Sequence, residues 1–144
     1  GYCTVIGSET LPEKTASSLS IKILKSLNND GSEIFIGVAP FDIEQGKDHN
    51  FSNCGWYFGC YTSSLRSGPP HNYRGKEYGP VKRNGSYVHT GDSVGVVMDT
   101  AKGELSFVVN GVNLGVAFDG IPLSKPLVPC VILGCQGDSV ELII

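Results

Sequence analysis

The chain has 144 residues, 40% of them hydrophobic, and a net charge of −3. That length suits one domain able to bury about two-thirds of its unfolded surface. The mild acidity argues against a nucleic-acid-binding body, no apolar run reaches the length of a bilayer-spanning helix, and no charged-then-apolar signal segment opens the chain. Nineteen glycines and eight prolines fall between short apolar runs. This is the punctuation of an all-β chain with many turns, and no window sustains a helical period.

The segment 62–86, TSSLRSGPPHNYRGKEYGPVKRNGS, is too polar and too interrupted for a core element. It also exceeds the length at which structureless connections become uncommon in compact domains, so it reads as an ordered, useful loop. Arg66, Arg74, Lys76, Lys82 and Arg83 face only Glu77 in charge, which makes a basic patch on an acidic chain. Tyr73 and Tyr78 add amphipathic surface of the kind enriched at protein interfaces. The competing reading tucks both tyrosines beneath the loop as a minor core.

Residues 91–118 carry the clearest pattern. Val94, Val96 and Met98 alternate with Ser93, Gly95 and Val97. A turn over residues 99–103 follows, and then Asn110-Gly111 sits between two further alternating runs. An Asn-Gly pair suits a two-residue type I′ turn, in which both central residues need φ > 0. The pairing expected from that turn sets Val109 against Val112, Phe107 against Leu114 and Leu105 against Val116, all on one apolar face. These three strands form an antiparallel meander. The chain then stops inside another strand-like run, Val140-Glu141-Leu142-Ile143-Ile144, as would one domain, 1–144, cut from a larger protein.

Of the five cysteines, Cys54 and Cys60 have five residues between them and Cys130 and Cys135 four, with no His close by in spacing. Structural zinc favours two close Cys or His pairs, each with about two to four residues between its members, and an odd count leaves no complete disulfide set. Reduced thiols packed as small hydrophobes are therefore expected, with no metal and no cofactor, in a cytoplasmic setting. No nucleophile elbow and no phosphate-cradling loop is present, and the carboxylates Asp99 and Glu104 flank a turn that calls for polar residues anyway. The expectation is a protein without catalytic activity.

Several blocks of this sequence, taken in order, resemble the SPRY domain. They are Ile34-Phe35-Ile36-Gly37-Val38-Ala39, Gly55-Trp56-Tyr57-Phe58-Gly59, the meander with its GELSFVVNG run, and Pro126-Leu127-Val128-Pro129-Cys130-Val131. The resemblance extends from about residue 18 to the C-terminus. It implies an all-β, two-sheet antiparallel sandwich of the concanavalin-like jelly-roll type. Its implied use is protein recognition, often within ubiquitin-ligase receptors or scaffold proteins. A lectin-like glycan binder is the alternative, since loops of such sandwiches also hold sugars.

In peptide-binding members three places contact the ligand, and each maps here. Gly31-Ser32 matches the turn before the Gly-Val strand, with Ser32 as the small hydroxyl residue. Leu65-Arg66 stands where a Leu-Tyr pair is usual, and Ile132-Leu133-Gly134 where an apolar-Trp-Gly segment is usual. Arg66 and Leu133 thus depart from the family pattern. The candidate partner-binding set is Ser32, Tyr61, Arg66, Tyr73, Arg74, Tyr78, Ile132, Leu133 and Gly134. Its expected partner is a protein or peptide carrying an acidic or hydrogen-bond-accepting group, with no membrane and no nucleic acid involved.

Overall fold

Strand-forming runs of β-branched and aromatic residues, cut by glycine and proline, leave the chain little option but sheet. A computed structural model describes residues 3–27, 33–43, 46–47, 54–79 and 88–143. Among the described residues twelve strands follow in chain order: β1 (Cys3–Ile6), β2 (Ala16–Lys25), β3 (Phe35–Pro40), β4 (Gly46–Lys47), β5 (Trp56–Gly59) and β6 (Ser64–Ser67), then β7 (Arg74–Glu77), β8 (Ser93–Asp99), β9 (Glu104–Val109), β10 (Val112–Phe118), β11 (Leu127–Leu133) and β12 (Ser139–Ile143). The described residues contain no helix. Sheet A runs β4-β1-β11-β3-β5-β6-β7 and sheet B runs β10-β9-β8-β2-β12, with every pairing antiparallel. The expected two-sheet sandwich is the observed architecture.

Sheet B behaves as the alternation requires. Val94, Val96 and Met98 of β8 and Leu105, Phe107 and Val109 of β9 are buried, while their neighbours are half-exposed. They meet Ile36, Phe58 and Leu65 from sheet A in the core between the sheets. Sheet A is different, because its central strands are covered on both faces. Phe35, Ala39, Tyr57, Cys130 and Ile132 form a second cluster on the side away from sheet B. That double burial explains why β3 is an unbroken apolar run instead of an alternating one.

The Asn110-Gly111 turn has φ of 48° and 84°, as a type I′ turn demands, and Val112 pairs with Val109. The expected register holds through Asn113 opposite Val108 and then fails. Two bulges in β10 bring Val116 opposite Ser106 and Phe118 opposite Leu105. Val116 is then 54% exposed, whereas Ala117 and Phe118 are buried. The cause is local: Gly115 has φ of 97°, and the Asn113 side chain accepts a hydrogen bond from the Gly115 N–H at 2.8 Å. Each extra residue reverses the side-chain parity that follows it.

The basic segment also differs from expectation. It is no long loop in its described part, because β6 and β7 add two strands to the edge of sheet A. The Gly75 bulge between them, with φ of 103°, hid the alternation.

Cys54, Cys60, Cys130 and Cys135 are free thiols, and Cys60 and Cys130 are buried. Burial pushes the Cys130 thiol up to about 12, with the nearby Tyr57 hydroxyl opposing part of the rise. The folded state therefore holds this proton more tightly than the unfolded chain does. The resulting stability is complete below the ordinary thiol value, about 9, and is lost as pH rises from there towards about 12. Denaturation midpoints measured across that range should fall more steeply for the wild type than for Cys130→Ala. Parallel slopes would mean that Cys130 titrates normally in the fold.

Candidate functional site

Three segments that are remote in sequence meet at one buried side chain. Glu33, just before β3, is 4% exposed. Its Oε1 accepts hydrogen bonds from the backbone N–H groups of Tyr61 and Thr62, both at 2.9 Å. The Thr62 hydroxyl lies within 3.0 Å of both carboxyl oxygens and 2.6 Å from the Ser64 hydroxyl. Glu33 thus ties the β5–β6 turn to the approach to β3.

Glycines make room for this arrangement. A Cβ on Gly59 would sit 2.6 Å from Glu33 Oε1, and one on Gly134 would sit 2.5 Å from the Glu33 carbonyl oxygen. The end of β11 is therefore held against Glu33 by backbone packing. Of the places singled out in the sequence, Gly134 packs against Glu33, which also holds the turn that leads into the strand of Arg66. Ser32 and Gly31 themselves lie outside the described residues.

The basic and aromatic side chains divide into two kinds. Arg66, on β6, lies opposite Tyr57 of β5 and Arg74 of β7. It is half-buried, and its guanidinium makes no hydrogen bond or ion pair with a described residue. Arg74 is exposed but occupied, since its Nη1 donates to the carbonyls of Ser67 at 2.6 Å and Tyr73 at 3.1 Å.

The two tyrosines follow the minor-core reading. Tyr73 stacks on Phe118 with ring centroids 5.5 Å apart, and Lys76 Nζ stands 4.4 Å above its ring. Tyr78 packs edge-on against Phe58 and Phe107. Its hydroxyl donates to the Gly115 carbonyl at 2.6 Å and accepts from the Phe107 N–H at 3.2 Å, and burial raises its pKa. Beside Tyr73, His71 accepts from Trp56 Nε1 at its Nδ1, 3.1 Å away, which leaves Nε2–H to donate to the Asp119 carbonyl. These contacts close this side of the sandwich, so both tyrosines are spent largely on packing.

The β11 residues are also corrected in place. Ile132 is fully buried in the outer cluster of sheet A and offers no side-chain surface. Gly134 is buried against Glu33 and acts through its lack of a side chain. Leu133 is half-buried and points the other way, towards the gap between the sheets. It does not share a surface with Arg66: β3 and β5 separate their strands, about 14 Å at the usual strand spacing, and the two side chains leave opposite faces. What remains accessible is the turn carrying Tyr61, which is half-buried, together with Arg66 and Arg74 on the adjoining strands.

Glu33 carried no role in the sequence reading. The available signal was an acidic residue directly ahead of an unbroken apolar run, where a buried carboxyl must find donors. Among the described residues, no group of three or more His, Cys, Asp or Glu side chains is placed to hold a metal ion.

The architecture is that of a two-sheet β-sandwich with a glutamate-pinned turn at one end of its sheets. The SPRY domain family model matches residues 19–144, and the chain belongs to that family, whose members serve as protein-interaction modules and are in general non-catalytic. Among solved structures, the SPRY domain of human HERC1 is similar at 20% identity and a TM-score of 0.71, spanning 99% of this chain and 82% of that one. A second human SPRY domain has 17% identity and the same TM-score of 0.71, spanning 98% and 83%. At these identities the likeness concerns the fold. Comparison with curated protein sequences found no match.

Proposed function

We propose that this domain binds a short extended peptide or loop of a partner protein at the face built from the β5–β6 turn and strand β6. Arg66 is its polar anchor. The observation that carries this reading is Arg66 itself: a half-exposed guanidinium without a described partner, on a strand whose preceding turn is held by Glu33. A planar guanidinium fork loses less freedom per hydrogen bond than a flexible ammonium does on binding a carboxylate or a backbone carbonyl. The partner therefore carries an acidic or carbonyl group beside a contact for Tyr61. Service as the substrate receptor of a ubiquitin ligase or as part of a scaffold fits the family, and a cytoplasmic setting fits the free thiols.

The test is quantitative affinity capture with the wild type, Arg66→Lys and Arg66→Glu. Arg66→Glu should weaken the partner by about 1–3 kcal/mol, and Arg66→Lys by less, with melting temperatures nearly unchanged. Partners retained equally by all three proteins would overturn the reading.

A further inference from the structure

The two lateral ends of the sandwich are finished differently. At the β7–β10 end, Tyr73 and Tyr78 fill the gap between the sheets. At the other end no described aromatic side chain does the same. Among the described residues sheet A has seven strands and sheet B five, so β12 ends sheet B while β1 and β4 continue sheet A. A groove of about 440 Å³ is left there, lined by Val5, Leu19, Val131, Leu133, Val140 and Leu142. Val5 is 47% exposed and Leu142 57%, unusual values for side chains that face the inside of a sandwich.

The groove is bordered by β12, the edge strand of sheet B among the described residues. β12 pairs with β2 on one side, and no described residue pairs with its other side. Val140 and Leu142 lie opposite Ile23 and Ile21 and so face inward, whereas Glu141 lies opposite Lys22 on the outer face. An unpaired row of N–H and C=O groups above an aliphatic trough accepts one kind of ligand well: a further strand. A sixth strand in sheet B would satisfy the edge of β12. It would also lay alternate side chains over Val5.

We propose that the β12 edge is a strand-addition site for an extended segment of a partner protein, with aliphatic residues at alternate positions and a Lys or Arg opposite Glu141. It lies at a different place from the Arg66 face and does not depend on it. Charge selects the occupant. Glu141 is the only charged side chain on β12 and sits at its midpoint. A second copy of this chain, docked antiparallel in full overlap, would set Glu141 against its own counterpart. Like charges directly opposite destabilise a strand pair, whereas a basic residue there stabilises it.

The test uses the 144-residue chain and a capped synthetic nonapeptide in which valines alternate with threonines and lysines, followed by calorimetry and amide hydrogen exchange. Saturable binding with protection of residues 140–142 is expected. A proline at the peptide centre should weaken it about tenfold or more by removing a ladder hydrogen bond. Leu142→Asp should cost about tenfold as well. Glu141→Lys, an exposed change that spares the core, should shift preference roughly fivefold towards a peptide with glutamates in place of the lysines. Arg66→Glu should leave this binding unchanged. Absence of binding, or binding indifferent to the proline and to Glu141→Lys, overturns the proposal. So does sedimentation showing a dimer that Leu142→Asp abolishes, since the occupant would then be a second copy.

Discussion

Gly37→Ala is expected to leave the chain unfolded, or to cost it about 3 kcal/mol or more, a large share of a typical domain's stability. Gly37 sits in the middle of sheet A, opposite Tyr57 on β5 and Cys130 on β11. A Cβ there would lie 1.8 Å from the Trp56 carbonyl oxygen and 2.9 Å from the Tyr57 Cα. Those are backbone atoms, so no rotamer change relieves the overlap. Relief requires β3 and β5 to separate, which breaks ladder hydrogen bonds in the best-buried part of the sheet. Gly95→Ala is the matched control. Its Cβ would meet the Val108 Cβ at 3.1 Å on the half-exposed face of sheet B, where a small adjustment is enough. Urea denaturation of both variants separates the cases. A Gly37→Ala protein as stable as Gly95→Ala would contradict the strand packing described.

Glu33→Ala is the second large effect, at about 2–4 kcal/mol. It deletes the acceptor, itself only 4% exposed, for two backbone N–H groups and the Thr62 hydroxyl. Buried donors left without a partner each carry a desolvation cost of about 1–3 kcal/mol. Glu33→Gln keeps one oxygen acceptor and should lose roughly half as much. The same change frees the β5–β6 turn, so amide hydrogens of Tyr61 and Thr62 should exchange much faster in Glu33→Ala. If stability and exchange both stay at wild-type values, Glu33 does not organise the turn.

The meander over 91–118 was legible because sheet B has one buried face, and one buried face writes a period of two into the sequence. Asn110-Gly111 announced its turn through φ alone. The bulges at Gly115 were not legible, since a glycine marks a permissive position without saying which way the chain turns. The β3 run could be placed but not explained until a second cluster appeared on the far side of sheet A. For the site, segments could be matched by resemblance, but facing direction could not. Ile132 and Leu133 are neighbours in sequence and point to opposite faces, one into a closed cluster and the other into a groove. Tyr78 belongs to the core because of where Gly115 places its carbonyl, a long-range fact set by β10. The place of Glu33 ahead of an apolar run hinted at a buried carboxyl, but its partners could not be named because they come from a turn twenty-eight residues downstream.

Amide hydrogen exchange of the domain with and without a captured protein partner tests the location of the recognition face most directly. Binding should slow exchange across residues 60–67, the turn under Glu33 and the strand bearing Arg66, and Arg66→Glu should remove that protection. Protection confined to the outer face of sheet B, around Ser20, Gly95 and Val108, with residues 60–67 unchanged, would contradict the account.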